Sequence, residues 1–219
     1  MTTTHTHRLP FPDTLRGLAV IGMIVFHVFF ILNYFGLATY DTSAGPWLVL
    51  GQFVRFSFIG LVGVSLYLSS APYNKQFFRG LKILLCAALV TLVTYFFAPS
   101  EFVRFGILHL IGVGVIFLSP FANSRWLSLI LGLLSLVMTK FLPNFPYLPG
   151  LDYFPIFPWI SLIFFGIFLG PFFKKINFRL PLVDFLGRHS LLIYMIHIPL
   201  IILSLLLFGI IDFGAIIQA

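Results

Sequence analysis

The chain has 219 residues, 60% of them hydrophobic and 9% charged, with a formal net charge of +7. A soluble domain carries about 25% charged residues, so this composition excludes one and points to an integral membrane protein. The basic excess does not point to nucleic acid, because the cations sit in short loops between apolar runs, and the single cysteine, Cys86, excludes an internal disulfide.

Seven apolar runs follow one another at 14–36, 47–70, 80–98, 103–120, 126–142, 154–173 and 188–211. Each approaches the ~20 residues that cross a hydrocarbon core, the fourth and fifth being short. The connections carry turn formers such as Asp41, Gly45, Pro46, Pro72, Asn74, Pro99, Pro120, Pro143, Pro149 and Gly150. With the N-terminus inside, the inner side receives Arg8, Arg16, Lys75, Arg79, Lys82, Arg125, Lys174, Lys175, Arg179 and Arg188. The outer side receives only Arg104 and Lys140, while Arg55 falls within the second run. This asymmetry predicts an all-α integral membrane protein, a bundle of about seven transmembrane helices with a cytoplasmic N-terminus and the C-terminus outside. One domain over 1–219 is expected. The first run follows Arg8 and Arg16 and lacks a small-residue cleavage site, so it reads as a retained span rather than a signal peptide.

In chain order, the first run opens on Asp13 and Arg16 and carries His27 eleven residues beyond the arginine. Eleven helical steps come to nearly three turns, which places Arg16 and His27 on one face about 16 Å apart. Arg16 then lies at the membrane boundary and His27 near mid-bilayer, where ionisable groups are costly and mark sites by default. A neutral imidazole there can take a proton from an attacking hydroxyl or amine; a packing hydrogen bond to a neighbouring helix is the other reading. Asp13, three residues ahead of Arg16, can hold that arginine in place.

Arg55 lies about 12 Å into the second run. Its guanidinium stays charged and must meet an anion, carbonyls or water. It either orients an acceptor and stabilises an oxyanion or snorkels to the outer interface. Gly60-x-x-Gly63 in the second run and Gly166-x-x-x-Gly170 in the sixth predict close helix contact. His109 opens the fourth run, and His197 lies about 12–14 Å into the seventh; each either faces the cavity of His27 or is a satisfied structural histidine. All six acids, Asp13, Asp41, Glu101, Asp152, Asp184 and Asp212, fall in connections or at run ends, so no intramembrane carboxylate is expected, which counts against proton-coupled transport. The three membrane histidines lack ligand spacing, His5 and His7 have no helix to fix them, and no metal site is expected. The inner cations, Arg188 among them, set topology or also hold a phosphorylated donor.

Four stretches now converge. They are Asp13-Thr14-Leu15-Arg16-Gly17-Leu18-Ala19 through His27, Arg104-Phe105-Gly106-Ile107-Leu108-His109, Phe157-Pro158-Trp159 with Gly166 and Gly170, and Leu186-Gly187-Arg188-His189-Ser190-Leu191-Leu192-Ile193-Tyr194 with His197. The Arg-x10-His spacing resembles transmembrane acyltransferases, including the acyltransferase-3 group. The set together resembles the heparan-alpha-glucosaminide N-acetyltransferase catalytic-domain family and its short bacterial members. That resemblance implies transfer of an acyl group, commonly acetyl, from cytoplasmic acyl-coenzyme A to a carbohydrate or glycolipid on the far side. Acyl-coenzyme A would be a co-substrate, with no tightly bound cofactor. His27 would be the base, Asp13, Arg16 and Arg188 would shape the donor entrance, Arg55 would position the acceptor, and His109 and His197 would line the cavity.

The chain departs from the lysosomal enzyme in length and in having fewer spans. That enzyme is expected to carry asparagine where His27 stands and its active histidine in the following loop, whereas no histidine occurs here between Val28 and Leu108. The role of His27 therefore rests on the Arg-x10-His relatives, and the glucosaminide substrate does not carry over. A bacterial plasma (inner) membrane is the expected location, and a homo-oligomer stays open as a partner, since oligomeric state leaves no signature in the sequence. The rival reading is a non-catalytic permease, lipid exporter or small subunit of a membrane assembly.

Overall fold

The computed structural model describes residues 9–39 and 41–212; the readings of His5, His7 and Arg8 lie outside them. Among the described residues are eight α helices and no strand. They are α1 (Pro10–Tyr34), α2 (Gly45–Leu68), α3 (Tyr73–Phe97), α4 (Ile107–Leu118), α5 (Arg125–Met138), α6 (Ile156–Phe173), α7 (Pro181–Arg188) and α8 (Ser190–Leu207), with one 3-10 turn at Ser119–Phe121. The all-α class is as expected. Proline stands in the first turn of α1, α2 and α7, where its missing N–H costs nothing.

Each apolar run became a helix, but only five (α1, α2, α3, α6 and α8) are long and apolar enough to cross a membrane. Helices α4 and α5 have 12 and 14 residues. At 1.5 Å per residue they reach about 18 and 21 Å, short of a ~30 Å hydrocarbon core. The sequence predicts α4 from residue 103, yet it begins at Ile107 because the connection 139–155 folds inward and takes over its start. The Leu151 N–H donates to the Glu101 carbonyl (2.8 Å) and the Phe154 N–H to the Phe105 carbonyl (3.0 Å). The Ile107 N–H donates to Asp152 Oδ2 (3.1 Å). A helix end that would otherwise leave bare amides is closed by a side chain from another connection.

Helix α7 is absent from the predicted elements, being too short and too amphipathic to register as an apolar run. It buries Asp184 and Gly187 and turns Leu182, 86% exposed, outward, as an interfacial helix does.

Backbone approach organises the packing. On α2 a Cβ at Gly63 would overlap the Ile163 carbonyl, and on α6 a Cβ at Gly166 would overlap the Gly60 carbonyl, so the two expected glycine motifs do meet each other. Helices α1 and α7 cross in the same way, Gly17 against Val183 and Gly187 against the Asp13 carbonyl. Between α2, α3, α4 and α6 lies the main core, with Ile59, Leu66, Leu110, Val115, Ile163 and Ile167 essentially sealed. A second cluster of Ile31, Leu205 and Ile211 ties the far ends of α1 and α8. Phe78, Phe96, Phe117 and Phe141 face outward, which suits a lipid-facing surface and leaves the few polar contacts inside to define the site.

Candidate functional site

Two polar clusters sit on α1, one at each half. At the basic end, Arg16 Nη1 pairs with Asp13 Oδ1 (2.9 Å) and Arg16 Nη2 donates to Ser65 Oγ on α2 (2.7 Å). The Ser65 hydroxyl in turn donates to the Leu61 carbonyl (2.6 Å). The Thr14 hydroxyl donates to Asp184 Oδ1, Arg179 Nε donates to Asp184 Oδ2 (3.1 Å), and Arg188 Nε donates to the Asp184 carbonyl (3.3 Å). Asp13, Thr14 and Asp184 are buried, while Arg188 is exposed. The cluster ties α1 to α2 and α7.

Eleven residues on, His27 meets His197. Their ring centroids are 4.7 Å apart and the planes are tilted by 75°. Each Nδ1 lies against a carbonyl of its own helix, His27 with Met23 (2.9 Å) and His197 with Tyr194 (2.7 Å). A carbonyl only accepts, so these contacts assign the proton of each neutral ring to Nδ1 and leave the Nε2 lone pair open. His197 is 4% exposed, and its Nε2 has no partner among the described residues.

Helix α2 contributes Arg55, whose Cζ lies 5.8 Å from the centroid of Phe154. Its charge reaches both His27 and Asp152. Tyr194, one turn before His197 on α8, directs its hydroxyl to Asp152 Oδ2 at 3.5 Å. Burial pushes the Asp152 carboxyl above the usual carboxylate range, against the opposing pull of the Ile107 N–H, Arg55, Tyr194 and His109. The acid comes from a connection, as the sequence indicates, but the inward fold of that connection brings it to the second turn of α8. The expectation of no carboxylate among the helices is corrected here.

His109 has a different task. The Gly106 N–H donates to His109 Nδ1 (3.2 Å), and Nε2 faces Thr91 Oγ1 at 3.5 Å, whose hydroxyl donates to the Val103 carbonyl (2.7 Å). Both of its nitrogens are engaged, so His109 closes the start of α4 beside Asp152 instead of joining the imidazole pair. His109, Asp152 and Tyr194 line one narrow crevice with Ala87, Val90 and Val103.

Of the residues singled out in sequence, His27 and His197 are in contact, Arg55 reaches His27 and Asp152 electrostatically, and His109 lies beside Asp152. Asp13 and Arg16 pair at the basic end with Arg188 nearby. Sequence reasoning missed Asp152 and Tyr194. Tyr194 precedes His197 by three residues, the spacing that keeps two side chains on one helix face. That signal was available; Asp152 offered none. Within the described residues no group of three or more metal-ligating side chains occurs.

A family model described as "Heparan-alpha-glucosaminide N-acetyltransferase, catalytic" matches residues 8–199. No curated protein matches the chain, and no solved structure does.

Proposed function

This chain belongs to the heparan-alpha-glucosaminide N-acetyltransferase catalytic family, and from that premise we propose that it moves an acyl group from acyl-coenzyme A to an amine or hydroxyl acceptor through the His27–His197 centre. One observation carries the proposal: two imidazoles from α1 and α8 pack 4.7 Å apart with both Nδ1 positions held by carbonyls. Such rings present Nε2 as bases in a water-poor interior.

The steps balance. His27 Nε2 takes the proton of the acceptor N–H or O–H as the acceptor atom bonds to the thioester carbonyl carbon. The carbon–sulfur bond then breaks, and the thiolate leaves with the proton that the imidazolium returns. Arg55 stabilises the oxyanion between those events, as a preorganised cation does. His197 holds His27 in orientation and shares the positive charge, and His109 lines the outer side of the centre through Asp152.

The donor enters from the basic end, taken as cytoplasmic by the charge asymmetry, which sets the N-terminus inside and the C-terminus outside; α4 and α5, shorter than the hydrocarbon core, make up the count of seven spans only together with the residues that flank them. Asp13 and Arg16 fix the mouth, and exposed Arg188 meets the phosphates. A cleft of about 340 Å³ at that end, lined by Ser69, Ser70, Tyr73, Gln76, Ser119 and Asn123, is of a size that takes part of a nucleotide. The acceptor is a carbohydrate or glycolipid reaching the centre from the opposite face. The protein acts as one domain in a bacterial plasma membrane.

Purified protein in lipid nanodiscs is expected to release free thiol from acetyl-coenzyme A in the presence of an amino-sugar acceptor. His27→Ala should lower that rate by about 10²–10⁴, the usual worth of a positioned base, with an unchanged elution profile. Full activity in the variant removes His27 from the mechanism.

A further inference from the structure

Helix α8 carries Pro199 in its interior. A proline has no N–H, and its ring crowds the carbonyl four residues back, here that of Met195. The α8 turn at Tyr194 and Met195 therefore lacks one rung of its hydrogen-bond ladder. The imidazole pair depends on that turn. The Tyr194 carbonyl accepts the Nδ1–H of His197 (2.7 Å), and the Tyr194 ring packs on the His197 ring with centroids 5.5 Å apart.

The Tyr194 side chain gives the turn a second anchor. Its hydroxyl donates to Asp152 Oδ2 at 3.5 Å, the oxygen that also accepts from the Ile107 N–H (3.1 Å). Asp152 stands on a connection tied down on either side, by the Leu151 N–H to the Glu101 carbonyl and by the Phe154 N–H to the Phe105 carbonyl. We infer that Tyr194 is a positioning residue: bonded to Asp152, its hydroxyl fixes the α8 turn whose carbonyl holds His197 Nδ1, and so links the connection before α6 to the imidazole pair. With Nδ1 held, the neutral ring keeps its proton there and its lone pair on Nε2. Without the hydroxyl, the turn loosens and the other tautomer competes. The chemical consequence rests on the transferase reading, in which His197 orients His27 and shares its charge; the tautomer itself does not.

Tyr194→Phe removes one oxygen and leaves the ring on His197. Nitrogen NMR on the full chain in lipid nanodiscs, with isotope-labelled histidine, reads which ring nitrogen carries the proton, and His197→Leu identifies the His197 signal. Wild-type His197 should carry it on Nδ1, and Tyr194→Phe should give a mixture of tautomers. Asp152→Asn keeps an oxygen for the Tyr194 hydroxyl and should keep the Nδ1 form. With acetyl-coenzyme A and an amino-sugar acceptor, Tyr194→Phe should lower kcat by about tenfold, the net worth of one hydrogen bond, while KM for acetyl-coenzyme A moves far less. Wild-type His197 protonated on Nε2 overturns the inference whether or not Tyr194→Phe folds, and so does an Nδ1 form that survives Tyr194→Phe unmixed.

The same two measurements separate the two readings. A tautomer that shifts with Tyr194, in protein that transfers nothing, removes the transferase reading and leaves the positioning role standing. Turnover with a tautomer indifferent to Tyr194 does the reverse.

Discussion

The two polar clusters on α1 are built from similar residue types and have opposite bookkeeping. At the basic end, Asp13, Thr14, Arg16, Ser65 and Asp184 hand hydrogen bonds to one another and to helix carbonyls. Midway along the helix, His27 and His197 spend one nitrogen each on a carbonyl, and buried acceptors are left over at His197 and Gln52. A satisfied polar cluster between apolar helices holds them in register. An unsatisfied one costs free energy that only a ligand recovers. Arg16 and His27 stand out alike in an apolar run, yet Arg16 is partnered within the fold while the imidazole pair keeps an unpartnered nitrogen at His197.

The sharpest way to break that contrast is His197→Leu. Removing a buried acceptor that lacks a donor, and filling its place with an apolar side chain, should leave the melting temperature unchanged or raised. Transfer activity should fall by about 10²–10⁴ as the imidazole pair is lost. A variant that unfolds while its surviving fraction keeps full turnover would show that His197 is a structural residue and that the contrast is false.

Asp184→Ala should behave in the opposite sense. It strips the nearer acceptor from the Thr14 hydroxyl, which keeps only the Pro10 carbonyl at 3.3 Å, and frees Arg179, whose side chain is largely exposed and loses little. The cost falls mainly on the buried hydroxyl, about 1–3 kcal/mol, seen as a lower urea midpoint in detergent. No change in stability would mean that the α1–α7 glycine crossing alone holds this end together.

How much of this was legible in the sequence follows from the range of the interactions. The helices were readable because hydropathy acts locally, and the glycine motifs because close approach demands small residues. Arg16 and His27 were visible since charge in an apolar run is conspicuous. What escaped depended on tertiary folding. Asp152 sits in a polar, proline-rich connection like those that stay at the surface. Hydrogen bonds of Leu151 and Phe154 to the 101–105 strip, of Arg104 to the Pro149 carbonyl and of the Ile107 N–H to Asp152 itself carry it inward. His109 was conspicuous for the same reason as His27, yet its position three residues into α4 makes it the acceptor for Gly106, a role that follows from where the helix starts. Helix α7 was hidden by its own amphipathy.

Asp152 is an intermediate case, partnered and still penalised, and it refines the contrast by a smaller effect. Its carboxyl lies above the usual range because burial outweighs the Ile107 amide, Arg55, Tyr194 and His109. With the folded value raised, the native state holds the proton at pH values where the unfolded chain has already released it. Stability therefore falls as pH climbs from the ordinary carboxylate pKa, about 4, to the raised folded value, and levels off beyond it. A single proton limits the slope to about 1.4 kcal/mol per pH unit. Asp152→Asn keeps an oxygen for the Ile107 N–H and removes the charge, so its stability advantage over the wild type should widen across that interval and hold constant above it. Unfolding midpoints taken from pH 4 to 8 on both proteins read the difference directly, with every other titrating group cancelling. A gap independent of pH would mean that Arg55 fully compensates the carboxylate, making Asp152 an ion-paired brace like Asp13 and removing it from the penalised interior around the imidazole pair.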